Sequence, residues 1–171
     1  PTTANYIIMA TTCAPILITG MGMNPIAANM FVFYFGIVAD ITPPVALAAY
    51  AGSAIAKANP MKTAFQATRL AIAAFLIPYI FAMNPALLFI DANAVDVILI
   101  IVTSCVGMAG VASALEGYLL KDMNVIERVL IAGGGLAMLI PGIVTDVIGV
   151  VIFVAVLGLQ IVSKKKGQAA A

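Results

Sequence analysis

Gly36-Ile37-Val38-Ala39-Asp40-Ile41-Thr42-Pro43-Pro44-Val45 sets one carboxylate and a double proline inside an otherwise apolar run from Ile26 to Ala56. Neither proline has a backbone N–H, and each ring clashes with the carbonyl four residues earlier, so a continuous helix cannot pass through. The helix breaks there. Carbonyls near Ala39 and Asp40 and N–H groups just after Pro44 lose their intrahelical partners. Hydrocarbon tolerates such groups only where they are buried in protein or line a polar cavity, so the stretch predicts an ion or substrate site. Asp40 sharpens this expectation, because an acid near the middle of a bilayer costs about 2.5 to 3.5 kcal/mol and persists where it has a partner or a task. The plainer alternative is that Asp40 or Thr42 only caps the half-helix that follows the prolines.

The rest of the composition agrees with a membrane setting. Of 171 residues 64% are hydrophobic and 9% charged, with mean hydropathy +1.16, where soluble domains carry about a quarter charged residues. The chain is expected to be an all-α integral membrane protein surrounded by lipid. A formal net charge of +1, with basic residues single or in one terminal triplet, argues against nucleic acid as a partner. The absence of histidine excludes His-based catalysis and His-ligated metal sites. Cys13 and Cys105 lie in separate apolar segments without ligand spacing and read as small buried hydrophobes. Pro1 is preceded by neither an initiator Met nor a basic leader, so the chain reads as the C-terminal part of something longer.

In chain order, Pro1-Thr2-Thr3-Ala4-Asn5 suits a helix start, and Asn5 to Thr19 provides only about 22 Å of helix against a hydrocarbon core of about 30 Å. One arm of a re-entrant hairpin is expected. Gly20 to Pro25 is a loop, Ile26 to about Ala39 the first half of the broken helix, and Val45 to Ala56 a second half rich in small residues. Lys57 to Pro60 turns into Met61 to Arg69, a short polar helix expected at the interface, with Phe65 toward lipid. Leu70 to Ile90 is one span, kinked or shortened by Pro78 and Asn84-Pro85, and Asp91 to Asp96 is a polar loop. Val97 to Leu120 spans again, with Glu116 loosely placed to pair with Lys121. Asn124 caps Val125 to Ile140 with Glu127 in the first turn, Pro141-Gly142 turns, and Ile143 to Val162 is the last span, with Asp146 near its N-terminal dipole. The expected organisation is thus 1–56 hairpin arm and broken helix, 57–69 turn and interfacial helix, 70–90 transmembrane helix, 91–163 C-terminal transmembrane helices and 164–171 basic tail. Alternating sides place all 8 basic residues on one face, while the loops at 20–25, 91–96 and 141–146 carry none, which puts the basic side and the C-terminus in the cytoplasm.

Pro1-Thr-Thr-Ala-Asn-Tyr6 and Tyr34-Phe-Gly-Ile-Val-Ala-Asp-Ile-Thr-Pro-Pro-Val-Ala-Leu-Ala-Ala-Tyr50 closely resemble the large membrane subunit of TRAP transporters (tripartite ATP-independent periplasmic transporters), in the fused-permease branch that works with TAXI-type binding proteins. The resemblance continues through Phe65 to Leu70, Asn84 to Phe89 and Leu115 to Leu120. It implies a sodium-coupled symporter of the inner membrane, with an elevator-type transport domain of two inverted repeats. It also implies a small organic solute handed over by an extracytoplasmic, TAXI-like solute-binding protein. The chain would correspond to the second inverted repeat, its partner being the missing N-terminal part of the same permease. No cofactor is expected; sodium is the coupling ion. The implied ion and substrate site comprises Pro1, Thr2, Thr3, Asn5, Gly36, Ala39, Asp40, Ile41, Thr42 and Pro43, with Thr2, Asp40 and Thr42 as sodium ligands and carbonyls at Gly36 and Ala39 to Ile41 as hard oxygen donors.

Two other classes compete with a transporter. A structural membrane subunit would use the prolines only to bend a helix. An intramembrane aspartyl protease would pair Asp40 with Asp146, but nothing breaks the helix beside Asp146 and no Gly-x-Gly-Asp segment occurs, so this chain is not expected to be an enzyme. The orientation is directly testable. With Cys13 and Cys105 replaced, single cysteines at Ala92 and Gln168 should react with an impermeant maleimide from opposite membrane faces; labelling from one face means the segment count is off by one.

Overall fold

The first helices form because each orphan group at their ends finds a local partner. The computed structural model describes residues 2–169. Helix α1 (Thr2–Met21) is longer than the expected half-span, and by length and composition it can cross a membrane. Its threonines do not shorten it. The hydroxyls of Thr11, Thr12 and Thr19 donate back to the carbonyls of Ile7, Ile8 and Pro15, so polar side chains are satisfied within an apolar helix. Gly22, at φ +66°, closes α1, and the Met23 N–H reaches back to the Leu17 carbonyl at 3.1 Å. Asn24 then caps α2 (Pro25–Val38), its side chain accepting from the Ile26 N–H at 2.9 Å ahead of Pro25 at the first turn.

The chain divides into two compact units, Pro1–Asp91 and Ala92–Ala171, with the boundary at the polar loop expected around residues 91–96. In the first unit α1 packs along α2, where Ala27, Ala28 and Val32 are buried. The helix breaks as expected: α2 tightens into a 3₁₀ turn over Ala39–Ile41, Thr42 is extended, and α3 (Leu47–Ile55) restarts after Ala46 in a left-handed conformation.

The segment expected to lie at the interface does something else. Helix α4 (Pro60–Leu70), capped by Asn59, packs back along α3 through Ala46, Ala49 and Ala64, and after the single residue Ala71 the chain continues as α5 (Ile72–Met83), which packs on α2. By length and composition alone Pro60–Met83 is a candidate span, and it includes Arg69. The polar residues of α4 sit beside a small-residue face, Ala64, Ala67 and Thr68, that fits against the equally small face of α3. Phe65 is exposed, as expected for a lipid-facing ring. Asn84-Pro85 ends α5 as anticipated and opens a 3₁₀ turn over Pro85–Leu88.

The second unit comprises α6 (Ala94–Glu116), α7 (Val125–Ala137) and α8 (Ile143–Ala169) around Ala114, Ile131 and Val156. The Asn124 N–H donates to Glu127 Oε2 at 3.1 Å, the capping arrangement expected at the start of α7. Lys121, which the sequence placed loosely within reach of Glu116, lies 4.0 Å from Glu127 Oε1 and donates to the Ser163 hydroxyl at 2.8 Å. Gln160, fully buried, accepts from the Leu120 N–H and donates to Glu127 Oε2, which ties the connector to α8. The backbone of α8 remains helical through the residues expected as a tail, up to Ala169; Ala170 and Ala171 lie outside the described residues. Among the described residues no β-strand occurs, and the architecture is that of an all-α multi-span membrane protein.

The triple glycine of α7 is what lets this unit close. A Cβ on Gly135 would stand 2.6 Å from the Gly107 carbonyl of α6, and one on Gly134 would stand 2.9 Å from Ile152 of α8, whereas Gly133 meets nothing within 4 Å. Gly135→Ala is therefore expected to lower the melting temperature in detergent, with a cost of about 1–3 kcal/mol for forcing the helices apart. Gly133→Ala should leave it unchanged or raise it, because alanine favours a helix by about 1 kcal/mol. Equal behaviour of the two variants in a thermal melt would contradict the close approach.

Candidate functional site

Every carbonyl freed by the double proline is a hydrogen-bond acceptor in need of a donor, and the structure supplies most of them from nearby. The Thr42 hydroxyl donates to the Val38 carbonyl at 2.6 Å, and the Ala39 carbonyl accepts from the N–H groups of Thr42 and Ala46 at 3.4 and 3.3 Å. The Thr42 carbonyl accepts from the Ala46 N–H at 3.0 Å, and the Pro44 carbonyl from the Tyr50 hydroxyl at 3.0 Å. The Ile41 carbonyl is met by a residue 27 positions away, Thr68 of α4, whose hydroxyl donates at 3.1 Å. The peptide between Pro43 and Pro44 is cis.

One group is left over. Asp40 Oδ1 is buried and has no hydrogen-bond partner, the single such side-chain atom among the described residues. Buried carboxylate oxygens are ordinarily satisfied, so an orphan of this kind marks a place where a donor or a cation fits. Asp40 lines an open cavity of about 360 Å³ together with Asn5, Ile8 and Met9 of α1, Phe35, Gly36 and Ala39 at the end of α2, and Val45 and Leu47 at the start of α3. The α1 backbone runs beside Gly36: a Cβ there would lie 3.6 Å from the Tyr6 nitrogen, in ordinary van der Waals contact. Helix α3, whose first residue Leu47 lines the cavity, has no side-chain cap.

Of the residues singled out from the sequence, Asn5, Gly36, Ala39 and Asp40 meet around this cavity. Thr2, Thr3, Ile41, Thr42 and Pro43 are not part of its lining, and Pro1 lies outside the described residues. Thr42 donates its proton to Val38, which leaves its oxygen lone pairs as acceptors. The alternative partner for Asp40, Asp146, belongs to α8 in the other compact unit. Sequence reasoning missed Thr68 and Tyr50. Their recoverable signal was position: Thr68 follows Ala64 by one turn on the small face of α4, and Tyr50 sits one turn after the start of α3. Among the described residues no cluster of His, Cys, Asp and Glu could hold a metal ion, which leaves isolated oxygens as the donors at the break.

Residues 1–95, which contain α1, the break, α4 and α5, match the family described as tripartite ATP-independent periplasmic transporter, DctM component. The chain belongs to this family. It is thus a large membrane component of a TRAP-type secondary transporter, a family that works with a periplasmic binding protein and a small membrane component. The DctM match covers more than half of the 171 residues and includes every residue of the cavity. No curated protein and no solved structure matches the chain. In DctM terms, the part of the chain that carries the family likeness is the part whose helix breaks around an orphaned acid.

Proposed function

We propose that this DctM-family chain supplies half-helix ends and an acid to a sodium site of a TRAP permease, and that sodium entry through that site drives uptake of a small organic solute. The observation that carries the reading is the buried, unpartnered Asp40 Oδ1 on a cavity shared with Asn5, Gly36 and Ala39. Sodium takes oxygen donors, and a carboxylate beside main-chain carbonyls at a broken helix is a donor set of the right hardness. Asp40 supplies the negative charge, the Gly36 and Ala39 carbonyls and the Asn5 side-chain oxygen supply neutral donors, and Thr42 adds its lone pairs. Thr2 and Thr3, in the first turn of α1 ahead of Asn5, and Pro43, just after the break, would stand outside this donor set.

In this reading the solute arrives from a TAXI-like extracytoplasmic binding protein, and the N-terminal repeat of the permease completes the substrate cavity. The protein resides in the inner membrane with its C-terminus in the cytoplasm, an orientation supported by the loops at 20–25, 91–96 and 141–146, which lack Lys and Arg. The carrier moves its transport domain as an elevator, and its task is translocation, not catalysis.

Binding of radiolabelled sodium to the purified permease tests the site. Asp40→Asn keeps the shape and removes the charge, so half-saturation should shift upward by about tenfold or more, the size expected for loss of a charged partner, while yield and monodispersity stay at the wild-type level. An unchanged binding curve sinks the proposal. Replacing Pro43 and Pro44 together by alanine restores two N–H donors and removes the ring clashes, so the half-helices can join and close their carbonyls internally. Membrane insertion should be normal and sodium binding lost; sodium binding at wild-type strength would make the break a bend and nothing more.

A further inference from the structure

The hydroxyl of Thr68 has one proton and two carbonyls within reach, Ala64 of its own helix at 3.0 Å and Ile41 at the break at 3.1 Å. A threonine within a helix ordinarily donates to the carbonyl one turn back, so Thr68 can give up Ile41 without leaving a buried donor unsatisfied. Ile41 is in a different position. Its carbonyl has no helical partner because the helix ends there, and Ile41 is absent from the lining of the cavity that its neighbours Ala39 and Asp40 share. Helix α4 is held against the break by Ala46 and Ala64, both fully buried, which fixes the reach of the hydroxyl.

We infer that Thr68 is a positioning residue that competes with the coupling cation for the Ile41 carbonyl. The inference rests on the reading of the Asp40 break as a sodium site. The Ile41 carbonyl is occupied by the Thr68 proton; a cation that recruits it displaces one hydrogen bond, and the proton of Thr68 falls back on Ala64. The hydroxyl thereby weakens sodium binding in a controlled way and gives the carbonyl a partner whenever the ion has left, which favours release. The α3 to α4 contact, formed far from Asp40 in sequence, then sets the affinity of the site.

The direction of the effect separates this from a packing role. Thr68→Val replaces the hydroxyl by a methyl at nearly constant volume. Half-saturation for radiolabelled sodium on the purified permease should fall, by about three- to tenfold if the displaced bond contributes as an ordinary hydrogen bond. Thr68→Ser, which restores the proton, should bind as the wild type does. Damage to packing alone would weaken binding or leave it unaltered, so an unchanged or raised half-saturation in Thr68→Val overturns the inference. If that variant does not accumulate, Thr68→Ala, which suits a helix and adds no bulk, decides by the same criterion. Asp40→Asn is titrated in parallel. A weakened Asp40→Asn with no tightening at Thr68→Val rejects the competition and keeps the site; an unaltered Asp40→Asn rejects both.

Discussion

A peptide group stripped of water must have a hydrogen-bond partner, and the first unit is arranged around meeting that demand at Ala39 to Ala46. The prolines remove two donors and abolish the regular ladder. What replaces it is assembled from three sources: the tightened turn itself, which brings the Thr42 and Ala46 N–H groups to Ala39; local hydroxyls on Thr42 and Tyr50; and Thr68 from a helix that doubles back to reach the gap. The doubling back of α4 is in turn possible only because α3 and α4 meet through alanines, so that side-chain bulk does not hold the hydroxyl out of range. Sequence, break and helix packing are thus one chain of cause.

The exception is the acid. The break finds partners for most of its freed carbonyls and leaves a carboxylate oxygen without one, although carboxylates are costlier to bury than carbonyls. The cavity beside it is walled largely by apolar residues of α1 and α2, such as Met9 and Phe35, with Asn5 and Asp40 as its polar side chains.

Much of this was legible from residue chemistry alone. Pro43 and Pro44 forced the break, Asp40 marked it, Asn24, Asn59, Asn84 and Asn124 opened the elements that follow them, and the run of apolar segments fixed an all-α membrane protein. Two things were not legible, for physical reasons. The length of α1 was hidden at its two ends, where Thr2 to Ala4 and Gly20 to Met21, which read as a helix start and a loop, continue the helix beyond Asn5 to Thr19. The packing of α4 was hidden because composition does not reveal which helix covers a small-residue face; only the long-range contact with α3 shows it. The same limit kept Thr68 out of view, since its partner lies 27 residues away.

The glycine seam of the second unit has a consequence for how its helices come together in lipid. Where Gly107 meets Gly135, and Gly134 meets the Ile152 turn of α8, α7 offers only main chain to the contact. Side chains forfeit rotamer entropy when two helices dock; at Gly134 and Gly135 α7 has none to forfeit, while Ile131, one turn earlier, carries its side-chain packing. With no rotamer at those two positions to take up a shift, a displacement of α7 there bears directly on Gly107 and Ile152.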